Sequence, residues 1–203
     1  MATSAQLAPA RTIASPLALW HLLSLDAPTV AALWTWFIAR ANHIRLPLAS
    51  IAAMALAVWV LYAADRMLDA RILDAPRGLP RHHELEARHY FHHRHRQAFL
   101  IGTAFAAATL AVLLTDLPAI AIRLYLLEGA LLFMWFLILH GTHSAHRLPK
   151  EIAVGLFFAA ATFIPTVSRE PFAGSAVLRL TLLPAALLFA ALCSLNCLFI
   201  YAW

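Results

Sequence analysis

Charge is what this sequence most lacks. Only 12% of its 203 residues are Asp, Glu, Lys or Arg, while 63% are apolar and the mean hydropathy is +0.76. Soluble domains carry about twice that share of charge, so a soluble globular chain is excluded. Glycine is scarce, with six in all, and none falls in a phosphate-cradling loop or a dinucleotide fingerprint. No Ser, His and Asp arrangement of a hydrolase is present either, so hydrolase and nucleotide-enzyme readings have no support. Lysine is nearly absent: Lys150 is the single one among 15 basic residues, which stand against 10 acidic ones. That surplus favours anionic lipid or phosphate, whereas a nucleic-acid partner would need a basic folded domain, which is missing. Cysteine is limited to Cys193 and Cys197. Four apart in an apolar stretch, they share a helix face, cannot form an ordinary disulfide, and read as buried small apolar residues.

What is abundant is long apolar runs, namely Pro16 to Ala39, Leu46 to Ala64, Ala98 to Thr115, Leu117 to Leu139, Ile152 to Val167 and Leu178 to Trp203. Each is long enough, or nearly so, to cross about 30 Å of hydrocarbon as a helix. The expected fold is all-α: a polytopic integral membrane helical bundle over 16–203, with about six transmembrane helices, behind a cytoplasmic tail over 1–15. The first run is too long for a secretory signal and no small-residue cleavage pattern follows it, so it reads as a retained membrane helix. The fifth run is short and ends at Pro165. The last run reaches Tyr201, Ala202 and Trp203 without a polar flank, which reads as a truncated product or fragment.

The turns on one side carry Arg40 and Arg45, then Asp116, then Arg169 and Arg179. The other side is far more basic: residues 65–97 hold Arg66, Arg71, Arg77, Arg81, Arg88, Arg94 and Arg96, and 140–151 adds Arg147 and Lys150. The positive-inside rule puts these loops and both termini in the cytoplasm, with a bacterial inner membrane as the expected location. Pro76, Gly78 and Pro80 break the long loop, after which 81–97 reads as a helix lying on the membrane surface.

The chemistry-bearing residues cluster on that basic side. Asp65 and Asp69 follow the second run four residues apart, which puts both carboxylates on one helix face. Two like charges beside a bilayer need neutralising, and a Mg²⁺ shared with a phosphate would do it. The plainer alternative is a solvated helix end with Arg66 and Arg71 as local partners.

Asp65-Arg66-x-x-Asp69 after an apolar helix, followed by an Arg-rich loop, resembles the latter part of the first aspartate-rich motif of the UbiA-type intramembrane prenyltransferase superfamily. Ser24-Leu25-Asp26-Ala27-Pro28-Thr29 is similar to that family's early Leu-Asp-x-Pro element, and Leu148-Pro149-Lys150-Glu151 with Gly155 and Pro165 is similar to its fifth-helix start. The resemblance implies the first six helices of a nine-helix bundle that transfers an isoprenoid group from a prenyl diphosphate to an acceptor. By position it makes Asp65 and Asp69 Mg²⁺ ligands, and Arg66, Arg71 and Lys150 diphosphate contacts. Leu61 and Tyr62 stand where the family's motif usually has Asn and Asp, and its second acidic motif follows the sixth helix, where this sequence ends. A non-catalytic relative or fragment is therefore the alternative.

Histidine supplies a further reading. His82, His83, His89, His92, His93 and His95 lie in one loop, and His140, His143 and His146 in the next. His89-Tyr90-Phe91-His92-His93 is similar to the His-x-x-His-His box of di-iron membrane desaturases and hydroxylases. The alternative is a basic surface helix, with His82, Glu86, His89 and His93 on one face toward lipid headgroups. Inside the apolar runs, Arg123 and Glu128 are five apart and need not pair; Asp26 and Asn196 read as interior groups, with Asn196 bonding between helices. The six Trp residues could stabilise a carbocation through their faces, but interfacial anchoring is their ordinary explanation.

Overall fold

The computed structural model describes residues 15–70, 87–141 and 150–202. Residues 1–14, Arg71, Pro76, Arg77, Gly78, Pro80, Arg81, His82, His83, Glu86, His143, His146, Arg147, Leu148 and Pro149 lie outside them. Within them all regular structure is helical: α1 (Pro16–Leu22), α2 (Asp26–Ala41), α3 (Leu48–Ala70), α4 (Ala87–Arg94), α5 (Arg96–Leu114), α6 (Ala119–Gly141), α7 (Lys150–Val167), α8 (Ala176–Thr181) and α9 (Leu183–Ala202).

Among the described residues, three stretches are long and apolar enough to cross a bilayer: Leu48–Leu68, Arg96–Leu114, and Ala176–Phe199 taken across α8 and α9. The bent pair α1 and α2 makes a fourth if counted as one span. These are features of a membrane protein, with a count of three or four against the six expected. The packing agrees. Small residues fill the interior, with Ala31, Ala39, Ala53, Ala63, Ala106, Ala121, Ala159 and Ala190 all buried, while Leu100, Ile101, Phe105, Leu126, Phe133 and Leu188 point outward. Helices in lipid approach closely over small residues and gain nothing by hiding Leu from hydrocarbon.

The first apolar run is not one continuous helix. α1 stands at 88° to α2, and the break is built from local chemistry. Ser24 adopts φ 55, a left-handed conformation. The Trp59 indole Nε1 of α3 donates to the Leu23 carbonyl at 3.0 Å. The Thr29 hydroxyl donates to the Leu25 carbonyl at 2.6 Å, and His21 Nδ1 lies 3.3 Å from Asp26 Oδ2 across the corner. Pro28 falls in the first turn of α2, where its missing N–H leaves no bond unmade.

One other expectation is corrected. α7 does not stop at Pro165 but runs through it to Val167, because the carbonyl that Pro165 cannot serve finds a donor on α6. The surface helix expected over 81–97 is, where described, only the eight residues of α4. α4 packs against α3 and α1.

α7 is the centre of the bundle, packed on α9, α2 and α6. One core joins α2, α7 and α9 through Ile38, Ala39, Ala159, Phe163, Phe189 and Ala190. A second joins α3, α6 and α7 through Ala53, Ala121 and Ile164, and a third joins α2 to α3 through Ala31, Met54 and Val58. Consecutive long helices run antiparallel. The start of α2, the end of α3, the start of α7 and the end of α9 come together around one cavity, through Asp26, Arg66, Val154 and Asn196.

Candidate active site

A cavity of about 600 Å³ lies between α2, α3, α7 and α9. Its position along each helix gives it two ends. Where the start of α2 meets the ends of α3 and α9 it is lined by Asp26 of α2, Tyr62 and Arg66 of α3, and Asn196 and Cys197 of α9. Further along the helices the wall is Val30 and Trp34 of α2, Phe158 of α7, and Phe189 and Leu192 of α9. This end is aromatic: the Phe189 ring centroid is 4.6 Å from that of Trp34, 6.4 Å from Phe158 and 6.3 Å from Phe163.

The polar end is positioned by helix register. Tyr62 and Arg66 are one turn apart on α3, and the Tyr62 phenol is within electrostatic reach of Asp26, Asp65, Arg66 and Cys197. Asp26 starts α2, where a carboxylate is favoured by the helix dipole, while also facing His21. α7 and α9 come together at Gly155, where a Cβ would collide with the backbone of Ser194. The Ser194 hydroxyl there donates to the Ile152 carbonyl at 3.2 Å.

Of the residues singled out in the sequence, Arg66 is half-buried and lines the cavity. Asp65 is exposed beside it and forms no part of the wall. Asp69 lies one turn further on the same uninterrupted helix, so the shared face holds for the backbone; its side chain is outside the description. Lys150 is the first residue of α7, four before Val154 and eight before Phe158, both cavity residues. Its position is thus on the cavity-lining stripe, although its side chain is not described either. Arg71 falls outside the described residues.

Several expectations change. Cys193 and Cys197 are half-buried, form no disulfide and line the cavity, not packed away as small apolar residues. Asn196, expected to bond between helices, lines the cavity instead. Arg123 is exposed, while Glu128 is half-buried and reaches the Ala161 backbone of α7. His92, expected on a surface helix, is buried with its ring stacked on Phe99 at 3.9 Å between centroids. His95 instead is exposed, with Nδ1 2.9 Å from the Phe91 carbonyl.

Sequence reasoning missed the corner at 23–25 and the aromatic floor. A signal for the corner exists: Ser24-Leu25-Asp26-Ala27-Pro28 combines capping-type residues with a proline in the next turn, a helix-start pattern. No comparable signal marks the floor, since Trp34, Phe158 and Phe189 meet only through tertiary packing.

Among the described residues no three His, Cys, Asp or Glu side chains come close enough to hold a metal ion. The donor chemistry of the Asp65 and Asp69 positions still fits Mg²⁺, which commonly takes one or two protein carboxylates and fills its remaining positions with water and substrate phosphate. Compared with protein-family models, with curated proteins and with solved structures, the chain matches none.

Proposed function

We propose that this chain binds an isoprenoid diphosphate in the α2, α3, α7 and α9 cavity, as a relative of the UbiA-type prenyltransferases. The observation that carries the reading is the two-ended cavity, with Arg66, Tyr62 and Asn196 at one end and Trp34, Phe158 and Phe189 at the other. A prenyl diphosphate has the same two-ended chemistry. The apolar end would take the chain, and Arg66, with Arg71 and Lys150 as further candidates, would take the phosphates through charge-assisted hydrogen bonds. The basic-loop face is assigned to the cytoplasm, in a bacterial inner membrane.

In the transfer step the carbon–oxygen bond of the prenyl diphosphate breaks, diphosphate leaves with the electron pair, and the prenyl carbon bonds to an acceptor that loses a proton. Mg²⁺ bound at Asp65 and Asp69 would offset charge on the leaving diphosphate. Arg66 would hold the diphosphate at the rim. The rings of Trp34, Phe158 and Phe189 would exclude water from the cationic prenyl carbon and present their negative faces to it.

A second reading, binding without turnover, is favoured by Tyr62. Its phenol occupies the polar end at a position where the resembled motif usually has a carboxylate. A di-iron role gains no such support, because His92 is buried against Phe99.

The test is calorimetric titration of the detergent-purified chain with geranylgeranyl diphosphate, with and without Mg²⁺. Metal-dependent binding that is lost in Asp65→Ala/Asp69→Ala is expected, with Arg66→Ala weakening it about 10- to 100-fold. Unchanged affinity in both variants would remove the site assignment. Product formation with an added aromatic acceptor would then separate transfer from binding alone.

A further inference from the structure

A second cavity, of about 310 Å³, lies at the other end of α2 and is lined by Trp36, Ala39, Arg40, Ile44, Arg45 and Leu46. It sits at the end of α2, whereas Asp26 of the candidate active site begins that helix, and the two cavities share no lining residue. Its shape comes from how α2 ends. His43 adopts φ 59, and the Ile44 N–H turns back to the Ala39 carbonyl at 2.8 Å. The Asn42 side-chain amide donates to the Ile38 carbonyl at 2.8 Å. A left-handed residue just past a helix reverses the chain, and here it returns Arg45 to the same cavity as Arg40.

The floor is apolar, since Ala39 and Ile44 are buried, while Trp36 is half-exposed on the wall. Arg40 and Arg45 are exposed at the rim. Among the described residues no carboxylate forms an ion pair with either arginine. Two uncompensated guanidinium groups over an apolar floor are an anion site with an apolar side. Along the helix leading to it, α2 exposes Leu33 and Phe37, so an anion arriving along this surface would bring apolar chains with it.

We infer that this cavity is a headgroup site for an anionic phospholipid, with the phosphodiester between Arg40 and Arg45 and the first acyl carbons against Trp36. The guanidinium fork matches two phosphate oxygens at once. Tryptophan favours the depth at which headgroup meets hydrocarbon, and basic pockets at helix ends select acidic headgroups. A zwitterionic lipid neutralises its phosphate internally and gains less from the two arginines.

The experiment reconstitutes the whole chain in nanodiscs of equal phosphatidylglycerol and phosphatidylcholine, then releases it in mild detergent for native mass spectrometry. Wild type retains phosphatidylglycerol in preference. Arg40→Gln/Arg45→Gln lowers that retention about tenfold or more, and Arg40→Lys/Arg45→Lys gives an intermediate value. Arg123→Gln, exposed but outside the cavity, leaves it unchanged. Equal retention in wild type and the Gln pair overturns the site, as does an equal loss in Arg123→Gln, which would mean general surface charge. Full displacement of lipid by inorganic phosphate would make the pocket a soluble-anion site and overturn the lipid assignment.

Discussion

The phenol oxygen of Tyr125 lies 3.5 Å from the carbonyl oxygen of Ala161, the acceptor that Pro165, four residues on, cannot serve. In hydrocarbon an unserved carbonyl is costly, so a neighbouring helix supplies the donor and α7 continues through its proline. Glu128, one turn along α6, reaches the same stretch of backbone. Tyr125→Phe is expected to cost about 0.6 kcal/mol, the average for interhelical hydrogen bonds in membranes. With Pro165→Ala the N–H returns and the cost should vanish. A double-mutant cycle of thermal unfolding in detergent measures this, and an equal cost in both backgrounds would unlink the two residues.

At Gly155 the backbones of α7 and α9 approach closely. A methyl there would have to displace the Ser194 backbone, which cannot yield as a flexible side chain can. Gly155→Ala should therefore destabilise by about 1–3 kcal/mol, the range for overpacking. Ser194→Ala removes only the hydroxyl bond to the Ile152 carbonyl and should cost about 0.6 kcal/mol. Comparison of melting temperatures in one detergent decides it; if the alanine at 155 is the milder change, the helices are not in contact there.

Trp59 holds the corner between α1 and α2 by its hydrogen bond to the Leu23 carbonyl, and its ring lies against Gly102 of α5. Trp59→Phe keeps an aromatic ring but leaves that carbonyl unserved, for an expected loss of about 1–3 kcal/mol. Because Asp26 begins the helix just after the corner, the polar rim should loosen as well. Cross-linking between cysteines placed at Leu19 and Tyr90, on α1 and α4, reports the corner's geometry. An unchanged cross-linking rate would show that it is set without the indole bond.

Phe189 is the ring around which Trp34, Phe158 and Phe163 cluster. Phe189→Ala is expected to destabilise by about 3–5 kcal/mol and to deepen the cavity. Phe189→Leu, a smaller change, should shift relative affinity toward longer prenyl diphosphates without losing the fold. Affinities for a short and a long diphosphate, measured side by side, test this; a fixed ratio would place the chain elsewhere.

Which features could be read from the residues alone follows from the range over which each is set. Helix content and membrane character are properties of local runs, so low charge and long apolar stretches determined them. The Asp65 and Asp69 register is likewise local, because α3 is unbroken between them. The corner at Ser24 was hidden inside an apolar run that hydropathy reads as continuous, and only the Trp59 bond from a helix 36 residues away in sequence identifies its partner. His92 looked like part of a charged surface, yet seven residues separate it from Phe99, and packing against α3 and α1 buries it.

The cavity belongs wholly to tertiary structure. Its wall draws on four helices, and no sequence pattern reports which faces of separate helices meet. In lipid that choice depends on small residues and single hydrogen bonds rather than on burying large side chains. The sequence by itself therefore determined that this chain is a helical membrane protein with a carboxylate pair on one face of α3. Close approach at Gly155, the donor from Tyr125 and the corner at Trp59 decided where the polar and aromatic ends of its cavity lie.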